Sequence, residues 1–198
     1  MAGYARAWRK LKGRIDDERY GQVLAQLEYQ SGQAIVWRDA VTAWFLRTSG
    51  IADAKRRVGH NPGRIEAEAM TLIGYEIRDV TPWETASGGK AVACVAAKCS
   101  ASTRYQGAPG WYTIHVQYFD QNDGVSRFRL FVAGQLMDEW AAEDRLPTRK
   151  IDGSSSSRRT CQGLALRPGD EIRIEGVPDG GERAPLDYIE IQAKWHRL

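Results

Sequence analysis

The sequence predicts a mainly β fold, an antiparallel β-sandwich of jelly-roll type, preceded by a short helical segment. Three observations carry this. Apolar residues step by three and four up to about Thr48, and they alternate with a period of two after Gly63. Turn signals ("QNDG", "IDGSSSS", "RPGD", "VPDGGE") separate the alternating runs. No helical pattern interrupts them, so roughly eight or nine short strands must pair with one another in antiparallel fashion.

The helical segment comes first. Tyr20, Val23, Leu24 and Leu27, then Trp37, Ala40, Val41, Trp44 and Phe45, fall on helical spacing, and Asp16 is a suitable cap. The spacing predicts helices over about 16–30 and 33–48, with Ser31 to Gln33 as a break or a bend between them. "SGIAD" (Ser49 to Asp53) stops the second helix, and Ala52 to Gly63 reads as a charged, Gly/Pro-marked linker. The predicted units are residues 1–60, helical segment plus linker, and residues 61–198, the sandwich. Trp37, Val41, Trp44 and Phe45 form a wide apolar stripe, each side chain worth about 1.5–3 kcal/mol when buried. The stripe has to cover the sandwich or a second copy, and a homo-oligomer through the helices is expected.

The strands follow in order. "PGRIEAEAM" (Pro62 to Met70) enters through a Pro-Gly turn with Ile65, Ala67 and Ala69 alternating against Arg64, Glu66 and Glu68. Two carboxylates side by side on one face repel, which calls for a solvated face, arginine partners or a cation. Later runs place Tyr112, Ile114, Val116 and Tyr118 inward, then Phe128, Leu130 and Val132, then Ile172 and Ile174, and finally Ile189 and Ile191. Asp187 shares the inward parity of Ile189 and Ile191. Ser154 to Ser157 is read as a loop tip.

Composition and motifs exclude several functions. The chain has 198 residues, 42% hydrophobic and 27% charged, with a formal net charge of +3, values of a globular protein. No apolar run approaches the roughly 20 residues of a membrane-spanning helix, so no membrane is expected, and the charged N-terminus shows no signal-peptide core. The basic residues are dispersed, which argues against nucleic acid. Cys94, Cys99 and Cys161 lack zinc-ligand spacing, and a Cys94 to Cys99 bridge is allowed but not required. Neither a GxSxG nucleophile nor a paired-carboxylate spacing stands out, His60, His115 and His196 sit apart, and "SGGK" (Ser87 to Lys90) reads as a turn.

Seven tryptophans are the most informative residues. Trp8, Trp37 and Trp44 lie at helical spacing and read as core. Trp83, Trp111 and Trp140 fall at expected loops or strand ends, beside carboxylates and amides. A sugar asks for that combination, because its C–H face stacks on a ring while its hydroxyls need polar partners.

The run "RYGQVLAQLEYQSGQAIVWRDAVTAWFLRTSG" resembles the end of the helical C-terminal region of glycoside hydrolase family 67, the α-glucuronidases of xylan breakdown. Its continuation, "LIGYEIRDVTPWETASGGKAV", "YFDQNDGVSRFRLFVAGQ" and "VPDGGERAPLDYIEI", resembles the extra C-terminal domain of the fungal-type enzymes, itself similar to carbohydrate-binding modules of families 6 and 35. The resemblance implies a structural calcium held by the acidic pair of the first strand, Glu66 and Glu68, with Asp187 of the last. It also implies a non-catalytic module binding xylan or a glucuronic-acid-bearing xylo-oligosaccharide through Trp83 and Trp140, with Arg183 or Arg159 for the acid. The family's catalytic carboxylates sit in a (β/α)8 barrel for which this chain has no room. The alternative is a structural or oligomerisation appendage without sugar binding. An extracellular setting is what the resemblance implies for a full-length parent enzyme. Pro185 and Leu186 stand where the modules often carry asparagine, which weakens transfer of their binding cleft.

Overall fold

The computed structural model describes Gly32, residues 63–81 and residues 85–193. The alternating runs become strands because β-branched and aromatic residues on one parity find a common apolar layer. Eleven are present: β1 (Arg64–Glu66), β2 (Thr71–Ile73), β3 (Tyr75–Asp79), β4 (Lys90–Cys94), β5 (Cys99–Arg104), β6 (Gly110–Phe119), β7 (Arg127–Val132), β8 (Gln135–Ala141), β9 (Ser156–Leu166), β10 (Glu171–Val177) and β11 (Leu186–Ala193). They form two antiparallel sheets. Sheet I has the order β3-β4-β11-β6-β9, with β1 also paired to β11, and sheet II has the order β2-β5-β10-β7-β8. Ile114 and Val116 of β6, Phe128, Leu130 and Val132 of β7, Ile172 and Ile174 of β10 and Ile189 of β11 meet in one core between the sheets. The inward faces predicted for these strands are therefore the observed ones.

Three expectations are corrected. Pro62 to Met70 is not one strand: β1 ends at Glu66, a 3-10 turn occupies Ala67–Ala69, and the chain resumes as β2. Met70 N–H closes this turn onto Ala67 O at 3.1 Å, so Ala67 is buried while Ala69 is exposed, and Glu66 and Glu68 do not share a strand face. The serine tract is not a loop tip, since Ser155, Ser156 and Ser157 are buried and β9 begins at Ser156. Each hydroxyl has a partner: Ser155 Oγ donates to Lys150 O (2.6 Å), Ser156 Oγ accepts from Gln117 Nε2 (2.6 Å) and Ser157 Oγ donates to Tyr118 Oη (3.3 Å). Trp140 is the third. It is buried in β8, stacked on Phe128 at 5.4 Å between centroids and tilted against Tyr118, rather than presented at a strand end.

Cys94 and Cys99 are bridged, with Cα atoms 5.6 Å apart, which ties β4 of sheet I to β5 of sheet II. Cys161 is a buried thiol outside any disulfide, and its Sγ donates to Asp138 Oδ2 at 3.0 Å. Asp138 also holds Arg159 through both carboxylate oxygens (2.8 and 3.1 Å), fastening edge strand β8 to edge strand β9.

Sheet I has an outer face that changes character along β6. Reading every second residue, Phe119 and Gln117 are fully buried, His115 and Thr113 are half-buried, and Trp111 is 54% exposed. The buried half carries a charged network. Glu190 Oε1 accepts from Arg64 Nε (3.0 Å) and Nη2 (2.6 Å), and its Oε2 accepts from Arg158 Nη1 (3.2 Å) and Nη2 (2.6 Å). Arg158 Nε also donates to Gln117 Oε1 at 3.2 Å, and Arg64 lies 3.9 Å above the Tyr188 ring. Gly32, helical and buried, rests on this half: a Cβ there would stand 3.2 Å from Ser157 C and Arg158 N, a tight approach that glycine makes without displacing its neighbours. The other predicted helical residues, the stripe Trp37, Val41, Trp44 and Phe45, and the 60/61 boundary lie outside the described residues.

Candidate functional site

Two acidic sites and one aromatic platform are built by these sheets. The first acidic site joins the ends of the sandwich. Antiparallel pairing sets Glu66 of β1 opposite Tyr188 of β11, next to Asp187. A 3-10 turn over Ser87–Gly89 closes over them. Ser87 N–H donates to Asp187 Oδ1 (3.0 Å) and Oδ2 (3.3 Å), and Ser87 Oγ donates to Glu66 Oε1 (2.7 Å). Gly88 makes the turn fit, with φ of 66° and space that a Cβ would fill 2.9 Å from Glu68 Oε1. The structure thus brings Glu66, Glu68 and Asp187 around one turn.

Their electrostatics are unfavourable as they stand. Asp187 is fully buried, and burial first, then the charges of Glu66 and Glu68, push its carboxyl well above the ordinary carboxylate range against the pull of Arg64. Glu68 is also raised, chiefly by desolvation, and its Oε2 is buried with no hydrogen-bond partner among the described residues. An all-oxygen donor set of this kind fits a hard cation such as calcium. Among the described residues no three His, Cys, Asp or Glu side chains stand as a group that could hold a metal ion, and Ser87 engages both Asp187 and Glu66.

The second acidic site is one that sequence reasoning missed. Asp120, just past β6, accepts Asp144 N–H at Oδ2 (3.0 Å) and Arg145 N–H at Oδ1 (3.1 Å). Glu182, before β11, accepts Gln121 N–H at Oε2 (3.0 Å), and at Oε1 both Ser126 N–H (3.2 Å) and the Ser126 hydroxyl. Both carboxyls are wholly buried. Desolvation lifts Glu182 to about 7, aided by the Asp120 charge and opposed by Ser126, and lifts Asp120 to about 6. The pair pins the β6–β7, β8–β9 and β10–β11 connections together. A depression of about 260 Å³ beside it is lined by Val125, Arg127, Val177, Pro178 and Asp179, none of them aromatic.

Of the sugar-binding residues read from the sequence, Trp140 is buried inside the core layer, Trp83 lies outside the described residues, and Arg183 is exposed on the β10–β11 connection. Arg159 is engaged by Asp138. Among the described residues Trp111, at the start of β6, is an exposed ring. The loop that delivers it is fixed by two tyrosines: Tyr105 Oη and Tyr112 Oη both donate to Ala108 O, at 3.0 and 2.8 Å, and their rings meet edge-on at 5.2 Å. The signal for this was parity, since Tyr112 packs inward and Trp111 must then face out.

Residues 1–58 match the model described as Glycosyl hydrolase family 67 C-terminus. Over 191 residues, 93% of this chain, it is 45% identical to a protein described as probable alpha-glucuronidase A of Aspergillus flavus, and 42% identical to alpha-glucuronidase A of Emericella nidulans. In both cases it spans 23% of the length of those relatives. The fold is similar to a family 35 carbohydrate binding module from Clostridium thermocellum, with a TM-score of 0.52 over 66% of this chain and 98% of that one, at 11% identity. It is also similar to part of the Podospora anserina GH26-CBM35 β-(1,4)-mannanase, with a TM-score of 0.51 over 70% of this chain and 29% of that one, at 15% identity. Over residues 1–58 the chain is thus similar to the family 67 C-terminus, and its described residues from 63 onward form a module-like sandwich.

Proposed function

We propose that this chain is a non-catalytic, carbohydrate-binding portion of an α-glucuronidase-like protein, and that its ligand is xylan or glucuronoxylan. One observation carries the reading: a sandwich like a family 35 module continues, in a single chain 45% identical to α-glucuronidases, from a segment matching the family 67 C-terminus. Module folds of this kind have no reactive centre to supply, so the role left to such a domain is to hold the polymer near an active site on the same protein. Retention of the full chain on insoluble xylan, released by soluble xylo-oligosaccharide, is the expected result. Passage through the matrix without delay would favour a structural appendage. That second reading draws on the filled loop end, where Asp120, Glu182 and Trp140 occupy interior space.

Calcium belongs to the same proposal, held by Glu66, Glu68 and Asp187. Bound there, the ion supplies the positive charge that three mutually repelling carboxylates lack, and it joins β1 to β11. Stability should rise with free calcium as RT ln(1 + [L]/Kd), about 2.7 kcal/mol at a hundredfold excess over Kd. Asp187→Asn should abolish this dependence. Identical melting curves in excess calcium and in chelator, on metal-free protein, would remove the ion from the account.

A further inference from the structure

The outer face of sheet I is closed at one end and open at the other, and the open end has a composition unlike the rest of the surface. Trp111 of β6 stands opposite Ala165 of β9, a small residue that leaves the ring uncovered. Two residues along, Thr113 stands opposite Gln162 of β9 on one side and Gln192 of β11 on the other. Gln162, Ala165 and Gln192 are all exposed, and the residues on the opposite parity, Leu164, Leu166 and Ile191, pack toward the core. Directly opposed residues lie about 4.5–5.5 Å apart and diagonal ones about 7–8 Å, so one ring, one hydroxyl and two amides share a patch a few strands wide. Gly163, with φ of 72°, is the unpaired residue of a bulge between the Thr113 and Tyr112 pairs, and it keeps Gln162 facing outward.

We propose that this patch, Trp111 with Thr113, Gln162 and Gln192, is a glycan-binding platform for the neutral backbone of a polysaccharide, gripping an interior stretch of the chain rather than its glucuronic-acid branch or its end. The proposal rests on the carbohydrate-binding reading above and says where and what the domain holds. An aromatic ring supplies a stacking surface for a pyranose C–H face, and amides and a hydroxyl exchange hydrogen bonds with sugar hydroxyls in either direction. None of the four side chains is charged. The next group inward, His115, shares a hydrogen bond with Thr160 Oγ1 at 3.0 Å, and burial, followed by the Arg158 charge and opposed by the Gln192 side chain and the Glu190 charge, holds it below its ordinary value. A carboxylated sugar gains no ion pair from these residues. The patch runs across three neighbouring strands, β9, β6 and β11, so a polymer can pass over it transverse to them.

The platform is ordered before any ligand arrives. Tyr105 and Tyr112 anchor the loop before Trp111, so little conformational freedom is lost on binding.

The test uses the full chain with two soluble probes, an unsubstituted linear xylo-oligosaccharide and one bearing glucuronic acid, alongside retention on insoluble xylan. Trp111→Ala should weaken binding of both probes about tenfold or more and abolish retention, while Trp111→Phe keeps part of the affinity. The melting temperature should stay where it is, because the ring is half in water. Gln162→Ala combined with Gln192→Ala provides a second route to the same loss with no aromatic removed. Wild-type retention that survives both sets of changes overturns the platform and leaves the carbohydrate-binding reading standing. Binding that requires the glucuronic-acid group overturns the neutral-backbone assignment. No binding of either probe by the wild type overturns the platform together with the reading it rests on.

Discussion

Replacing Glu190 by alanine is expected to destabilise the sandwich by about 3–5 kcal/mol, the scale for breaking a buried ion pair from one side. Glu190 is 3% exposed and is the carboxylate shared by two guanidiniums, Arg64 and Arg158, whose side chains are 4% and 5% exposed. Its removal leaves two buried cations facing each other across an empty space. Arg64 keeps the Tyr188 ring and Ser87 Oγ, and Arg158 keeps Gln117, but the carboxylate that both guanidiniums share is lost. Glu190→Gln keeps the volume and one acceptor, so its cost should fall below that of alanine while still exceeding 1 kcal/mol. Urea unfolding at fixed pH measures both. A loss under 1 kcal/mol for Glu190→Ala would mean that water reaches the network and that the outer face of sheet I is not sealed.

That network also shows what the sequence could and could not convey. The inward faces of β6, β7, β10 and β11 were legible because a period of two with Ile, Val, Phe and Leu on one parity has few other meanings. The same rule assigns the opposite parity to water, and there it fails. Gln117, Arg158, Tyr188 and Glu190 are outward by parity yet buried, since Gly32 rests on this face. A single chain gives no sign of which polar faces will be covered. The serine tract misled for a related reason, because small hydroxyl residues favour loops until their hydroxyls find Gln117 and Tyr118.

The site was partly legible. Glu66, Glu68 and Asp187 lie around one turn, with Glu68 arriving from a 3-10 turn and Ser87 bonded to both Glu66 and Asp187. Short backbone turns of three residues leave too little pattern to read. Trp140 could not be separated from Trp111 by position alone, since both border strand ends. The decisive facts are that Phe128 stands opposite Trp140 on the neighbouring strand β7 and that Tyr118 meets it from the other sheet, and both depend on strand register and packing. Asp120 and Glu182 were visible only as two acids among many, and their pairing depends on three connections folding to one place.

That buried pair should make the sandwich more stable in mild acid than at alkaline pH. Glu182 rises from 4.5 to about 7 and Asp120 from 3.8 to about 6 in the folded chain, in each case led by desolvation. A raised carboxyl holds a proton that the unfolded chain releases. Its contribution to folding is full below about pH 4 and is lost as the pH climbs through the folded value. Each such proton is worth up to about 1.36 kcal/mol per pH unit, so the two together should lower stability by about 4 kcal/mol between pH 5 and pH 8. Asp138 and Glu175 are shifted the other way by their basic partners and oppose this trend only below about pH 4, whereas His115, held below its ordinary value by burial, opposes it at the acid end of the range. Excess calcium in every sample would keep Asp187 and Glu68 from adding to the slope, if the ion binds there. Measured by urea unfolding, the free energy should fall from pH 5 to pH 8, most of it by about pH 7, with the melting temperature dropping roughly 8–16 °C. Glu182→Gln, which cannot titrate, should flatten most of that fall while lowering stability at pH 5, because its amide nitrogen cannot accept the N–H bonds of Gln121 and Ser126 together with its oxygen. Stability that is level or rising from pH 5 to pH 8 would show that the hydrogen bonds from Ser126 and Gln121 outweigh burial and keep Glu182 ionised throughout.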